Sequence, residues 1–258
     1  MSYIYKKQLA HPSNYGGSRS RSDILFLVLH FTANDGDTDE ANARYFQTAG
    51  RGASAHYFVD DDSVTQSVSD LYVAWSVGGR KWDDCSKTGG GTLYGKASNA
   101  NSISIELCDT KKDRTVMASE KTLENAVLLI RELMTKYNVP LERVIRHFDV
   151  NGKHCPEYFM DSKKWQEFKA RIGDKAAASE APAPQTEKKE EKKLTVYEVT
   201  APAGLNVRSG PGTKYRKLYA LSKGSSFLVD WIEGEWAHGR DNMKREGYAF
   251  TKWLKIKE

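Results

Sequence analysis

Long hydrophobic runs are missing from this 258-residue chain. The longest, Ile24 to Leu29, covers six residues, whereas a helix needs about 20 to span a bilayer, so membrane insertion is excluded as an expectation. Cysteine is equally scarce, with Cys85, Cys108 and Cys155 as the whole complement. Three thiols without a CxxC pair make neither a disulfide scaffold nor a redox couple, and the odd number leaves at least one for other work. The opening stretch MSYIYKKQLAHPSNYGG lacks the apolar core of roughly 7 to 15 residues that marks a secretory signal. A protein made in the cytoplasm is therefore expected. No excess of one charge stands out either, since 39 Lys and Arg face 34 Asp and Glu for a net +5. The basic residues are scattered among acidic ones rather than gathered in a stripe, which argues against nucleic acid as a partner.

What is present is 39% hydrophobic residues, enough for a real core. One segment stands apart. Residues 174–193, DKAAASEAPAPQTEKKEEKK, hold two prolines, a dense mixture of opposite charges and no large apolar side chain. Such a stretch cannot bury enough surface to offset its ordering entropy, and it reads as a linker between a domain at residues 1–173 and another at 194–258. The larger piece carries 23 basic against 22 acidic side chains, the linker 5 against 5, and the smaller piece 11 against 7. The net charge thus sits almost wholly in the small C-terminal piece, the pattern of a binding module tethered to a working domain.

The large piece alternates in type. Ile24 to Leu29 reads as a buried strand, and Asp39 to Thr48 as a short helix entered through Asp37 or Thr38. Strands follow at Ala55 to Val59 and Val64 to Val68, with a turn at residues 60–62, and Asn101 to Leu107 alternates as another. Ser119 caps the longest helix, where Leu123, Val127, Ile130, Leu133 and Tyr137 recur three and four apart. A short segment at Val144 to His147 leads into a loop and a final helix at about Ser162 to Ile172. The fold class is α/β, with a mixed central sheet flanked by helices.

His30 stands where the first strand stops being apolar, His147 ends a second apolar segment, and Cys155 lies eight residues further on in NGKHCPEY. Two imidazoles and a thiolate form a three-ligand zinc set that leaves a fourth position open, as in catalytic sites. Spacing alone leaves the bland readings standing: hydrogen-bonded structural histidines, and Cys155 as a small buried hydrophobe. His154 is expected to face solvent or substrate, His56 to be satisfied in the core or else to line a cleft, and Cys85 and Cys108 to be free thiols. The Gly-rich TGGGTLYG at residues 88–95 lacks the ending of a phosphate-binding loop and reads as a loop beside the cleft. Trp75, Trp82 and Tyr94 share that irregular region, where exposed rings could stack on sugar or peptide, core packing being an equal reading for Trp75.

Taken in order, VLHFTAN, SAHYFVDDDSVTQSV, GGGTLYGKASNANSISIEL and RHFDVNGKHCPEY resemble the type-2 N-acetylmuramoyl-L-alanine amidases, particularly phage and prophage endolysins of Gram-positive bacteria. The resemblance spans most of residues 20–160. It implies zinc held by His30, His147 and Cys155, a catalytic glutamate at Glu106 and a catalytic lysine at Lys153. A metal site that lowers the pKa of water to roughly 7 suits amide hydrolysis. Glu106 would then move the proton to the leaving amine and Lys153 would stabilise the developing oxyanion. For both residues an ordinary surface or paired charge is the bland rival.

From Leu194 the chain breaks into short strand-like pieces, LTVYEV, LNVRSG, KLYAL, SSFLVDWI, EWAHGR and GYAFTKWL, which indicate a small β-barrel or sandwich. GLNVRSGPG at residues 204–212 resembles the bacterial SH3-type cell-wall-binding module, although the ending YAFTKWL departs from that family's pattern. The expected whole is a zinc-dependent peptidoglycan hydrolase, an endolysin cutting between N-acetylmuramic acid and L-alanine, with a wall-targeting module. It would be a monomer, acting on the wall after release. The alternatives are a non-catalytic peptidoglycan-recognition protein on the same fold and cleavage elsewhere in the stem peptide.

Overall fold

The computed structural model describes residues 3–174, 185–186 and 195–257, apart from residues 214, 234 and 244. Two compact units emerge, Met1–Glu187 and Lys188–Glu258. Of the expected linker at 174–193, only Asp174 and Gln185–Thr186 are described; the rest lies outside the described residues.

The first unit runs β1 (Ile4–Lys7), β2 (Tyr15–Ser18), β3 (Phe26–Phe31), α1 (Asp39–Gln47), β4 (Tyr57–Val59), β5 (Ser63–Gln66), β6 (Tyr72–Ala74), α2 (Cys85–Thr88), β7 (Ser102–Leu107), α3 (Glu120–Tyr137), β8 (Val144–Arg146), α4 (His147–Asn151), α5 (Ser162–Gly173) and β9 (Gln185–Thr186). Its sheet has the order β8-β3-β7-β4-β5-β1-β9. All neighbours are parallel except β4 and β5, which a three-residue turn can join only as an antiparallel hairpin. β2 and β6 form a separate ribbon.

Strand alternation sorts the two faces of the sheet. Leu27 and Leu29 of β3 and Ile103, Ile105 and Leu107 of β7 point to one side, against Ala126, Leu129, Ile130 and Leu133 of α3 and Trp165, Phe168 and Ile172 of α5. Each such aliphatic side chain contributes about 1.5–3 kcal/mol on burial. α3 is long enough to cover the sheet because its ends are well made. Ser119 Oγ accepts from Thr122 N at 3.2 Å, and Asn138 closes the helix in the left-handed conformation at φ 53°. Val28 faces the other way, onto Val77, Ala97, Ile145 and Val150, beneath the irregular segment that precedes β7. On the same side Phe58 packs with Ala43 of α1, Ala55 and Cys108.

Several boundaries differ from the sequence reading. β3 begins at Phe26, because Ile24 closes a turn over Arg21–Asp23 with its N–H on Arg21 O at 3.2 Å. β3 continues to Phe31 by pairing with β7, so His30 lies inside the strand rather than beyond it. α1 takes Thr38 as its cap, the hydroxyl accepting from Ala41 N at 3.2 Å. His147 does not lead straight into a loop; it starts a short helix. β1 carries no legible strand signal, yet it adds to β5 in parallel, and the preceding Tyr3 inserts into the core with its hydroxyl on Glu132 Oε2 at 2.8 Å. Among the described residues no helix is long and apolar enough to cross a membrane.

The second unit is all β, as its short alternating pieces imply. Its strands are β10 (Thr195–Val199), β11 (Leu205–Arg208), β12 (Lys217–Leu221), β13 (Ser226–Glu233), β14 (Trp236–Arg240), β15 (Glu246–Phe250) and β16 (Leu254–Ile256). They form one antiparallel sheet in the order β12-β11-β15-β14-β13-β10-β16. Val199, Leu205, Val207, Phe227, Val229, Ala237 and Ala249 fill its core. Register shifts in β11 and β13 bend the sheet over that core. The expected final strand is split, a 3-10 turn at Thr251–Trp253 separating β15 from β16.

Candidate functional site

β3 and β7 run side by side with His30 opposite Glu106, so two side chains 76 positions apart in the sequence leave the sheet on one face. His30 Nδ1 lies 3.9 Å from Glu106 Oε1. β8 flanks β3 on its other edge, and the chain turns directly from β8 into α4, so His147 emerges beside His30 with ring centroids 4.7 Å apart at 63°. α4 ends at Gly152, whose φ of 93° turns the chain back. Phe148 N then donates to Cys155 O at 3.1 Å, which holds Cys155 Sγ 3.8 Å from His30 Nδ1.

One donor atom from each of His30, His147 and Cys155 lies within 4.8 Å of the others, and all three residues are buried. Two ligands of a tetrahedral zinc, at ordinary Zn–N and Zn–S bond lengths, lie about 3.6 Å apart, close to the observed Sγ to Nδ1 separation of 3.8 Å. His30 Nε2 and both ring nitrogens of His147 are buried with no hydrogen-bond partner. Buried imidazole nitrogens are normally satisfied; His147, with neither ring nitrogen partnered, has one to offer a cation beside His30 and the Cys155 thiol. This donor set fits zinc in softness and number.

The electrostatics agree. Burial drives the His30 imidazole well below its ordinary pKa, with His147 and Lys153 adding to the effect. Burial, then Lys153, holds His147 down to about 4. Both rings are thus neutral, the form in which they ligate a metal. Burial pushes the Cys155 thiol up to about 12, with the Glu106 carboxylate as a further cause. That thiol ionises readily only with a cation beside it. Burial also raises the Glu106 carboxyl to about 8, against the opposing pull of Lys153 and with a smaller push from Asp37. Glu106 Oε2 has no partner, so this carboxyl is free to take or give a proton.

A cavity of about 350 Å³ adjoins this group, lined by Glu106, Lys153 and His154 together with Phe31, Phe46 and Phe58. All five residues singled out in the sequence therefore meet: three as the donor set, two in the adjoining cleft. His154 lies at the rim, its side chain 45% exposed. His56 does not line the cleft. It is buried, with Nδ1 3.1 Å from Ser104 Oγ and Nε2 3.0 Å from Tyr72 O, and is structural. Cys85 and Cys108 are free and buried. Trp82 lines the cleft, and Trp75 is exposed rather than core. The sequence reading missed Asn42, whose Nδ2 bonds Asp37 Oδ2 at 2.5 Å at the cleft wall, and the three phenylalanines. Nothing in an apolar residue type distinguishes a cleft wall from a core.

The family model described as N-acetylmuramoyl-L-alanine amidase matches residues 20–158, which includes the donor set, Glu106 and Lys153. The N-acetylmuramoyl-L-alanine amidase BlyA of Bacillus subtilis (strain 168) is 33% identical over 152 residues, covering 56% of this chain and 40% of the relative. A probable N-acetylmuramoyl-L-alanine amidase of Bacillus licheniformis is 30% identical over 151 residues, covering 57% and 40%. The match thus spans well under half the length of these two relatives. Among solved structures, a mutant endolysin from Bacillus subtilis superposes with a TM-score of 0.53 at 28% identity, over 66% of this chain and 99% of that one. With more than half of its residues matched by the family model and the donor set standing inside that match, the chain belongs to the N-acetylmuramoyl-L-alanine amidase family.

Proposed function

We propose that this protein is a zinc-dependent peptidoglycan hydrolase of the endolysin kind, cleaving the amide between N-acetylmuramic acid and the L-alanine of the stem peptide. The observation that carries this reading is the convergence of His30, His147 and Cys155 next to a cleft lined by Glu106 and Lys153, with Glu106 3.9 Å from His30. His30, His147 and Cys155 would hold the zinc, which when bound supplies Lewis acidity toward the scissile carbonyl and lowers the pKa of water to about 7.

The remaining steps fall to the chain's own residues. Glu106 Oε2, unpartnered at the cleft floor, takes a proton from the attacking water and delivers it to the departing amine of L-alanine. Burial raises this carboxyl above its ordinary range, the direction that favours holding the proton for the departing amine. The Lys153 ammonium, on the residue directly after the Gly152 turn and anchored by its backbone N–H on Asn151 Oδ1 at 3.1 Å, faces the negative charge that grows on the carbonyl oxygen. The phenylalanines that line the cleft exclude water and pack on apolar parts of the substrate.

The all-β unit is the proposed wall anchor, an SH3-type module whose net charge of +4 over residues 194–258 favours an acidic surface. The domain division proposed is catalytic 1–173, linker 174–193 and anchor 194–258. Mass spectrometry of cell walls digested by the full chain tests the activity. New L-alanine amino termini on intact stem peptides are expected. Products cut elsewhere in the stem, or no products with retained wall binding, would replace the amidase reading by its two rivals. Removal of residues 194–258 is expected to reduce co-sedimentation with walls while leaving zinc content unchanged.

A further inference from the structure

Trp82 sits in the irregular segment ahead of β7, and the metal-bearing loop itself sets its position. Its backbone N–H donates to Asn151 O at 2.8 Å. The indole stacks on His154, with centroids 5.7 Å apart and planes at 27°. His154 is braced from behind by the edge of Phe148 at 6.2 Å and held at Nε2 by Asp84 Oδ2 at 3.4 Å. Gly152 permits this close approach, since a Cβ there would come 3.1 Å from Trp82 Cβ. A large aromatic fixed so firmly and still 43% exposed has a purpose other than core packing.

The indole stands between two hollows. One is the cleft that holds Glu106 and Lys153. The other, of about 360 Å³, is lined by Trp82 with Arg80, Asp83 and Asp84. The first hollow is lined in part by phenylalanine; the second sets the aromatic face of Trp82 beside the charged groups of Arg80, Asp83 and Asp84, Arg80 Nη2 lying 3.5 Å from Asp83 Oδ2. An apolar ring face edged by hydrogen-bonding groups matches a pyranose, which offers C–H bonds on its faces and hydroxyl or acetamido groups at its rim.

We propose that Trp82 is the stacking platform for the glycan side of the substrate. The N-acetylmuramoyl ring leaves the reaction cleft across Trp82, and the adjoining sugar enters the hollow of Arg80, Asp83 and Asp84. This assignment rests on the amidase reading for the direction of the substrate, and it leaves the stem peptide to the phenylalanine wall. Trp82 is a positioning residue: it holds the sugar and takes no part in bond breaking.

The test uses the full chain carrying Glu106→Gln, which binds without cutting, with and without Trp82→Ala. Two probes are titrated by calorimetry: a peptide-free oligosaccharide of alternating N-acetylglucosamine and N-acetylmuramic acid, and a free stem peptide. Trp82→Ala is expected to weaken oligosaccharide binding about tenfold, to leave peptide binding and zinc content unchanged, and to be largely rescued by Trp82→Tyr. In chains with Glu106 intact, Trp82→Ala should raise KM for wall fragments by a similar factor with kcat within about twofold. Equal oligosaccharide affinity with and without the indole, an equal loss for the peptide, or no oligosaccharide binding at all overturns the proposal. Failure of the amidase reading would show separately, as the absence of new L-alanine amino termini from walls treated with the unsubstituted chain.

Discussion

His30 Nδ1 lies 3.8 Å from Cys155 Sγ across 125 residues of sequence. Nothing local brings them together. Parallel pairing of β8 with β3 sets His147 beside His30, and the turn at Gly152 folds Cys155 back under both. The pair is a product of topology, and the consequences are testable one residue at a time.

Cys155→Ser is expected to reduce zinc content from about one per chain to a small fraction and to cut wall hydrolysis by at least about 10²-fold. Elemental analysis after dialysis and turbidity of a wall suspension measure the two. A chelator should do the same to the unsubstituted chain, and added zinc should restore it.

Glu106→Gln separates chemistry from metal binding. The substitution preserves shape and removes proton transfer, so zinc content is expected to be unchanged while kcat falls by about 10²–10⁴. Retention of full activity would remove Glu106 from the proton path.

Gly152→Ala addresses the turn that returns the ligand loop. The residue has φ 93°, and a Cβ would come 2.2 Å from Cys85 Sγ. A loss of about 1–3 kcal/mol in unfolding free energy is expected, together with weaker zinc binding in a competition titration. Cys85→Ala on the same background should recover part of the loss, because it relieves the contact though not the backbone strain.

Asp39 reports on the core beneath α1. It is fully buried, bonded by Thr65 Oγ1 at 2.7 Å, and its backbone N–H donates to Asp60 Oδ2 at 3.2 Å. Burial, and then the Asp60 carboxylate, raises its carboxyl to about 7. The unfolded carboxyl titrates near 3.9, so the folded chain binds the extra proton between about pH 4 and pH 7. Stability from this group is full below that window and is lost as pH rises through it. Urea unfolding at pH 4.5 and 7.5 should show a smaller pH difference for Asp39→Asn than for the parent.

Much of the fold was legible because local rules were obeyed. Ser119 and the three- and four-residue spacing of Leu123, Val127, Ile130 and Leu133 mark α3 almost to its ends. The alternation of SISIEL separates Ile103, Ile105 and Leu107, which face α3, from Glu106 on the opposite side. β1 was not legible, since IYKK has no pattern of its own and becomes a strand only by adding to β5. His147 was misplaced for a similar reason: a five-residue helix is too short to show a period.

The sequence by itself determined which residue types were present for chemistry, and its family resemblance grouped His30, His147, Cys155, Glu106 and Lys153. Tertiary structure alone decided their distances, the orphaned nitrogens, the neutral state imposed on both imidazoles by burial, and the exposed Trp82 between two hollows. The physical reason is that side-chain type is a local property. Desolvation, register and the approach of distant segments depend on every strand that crosses the sheet, and no stretch of sequence carries them.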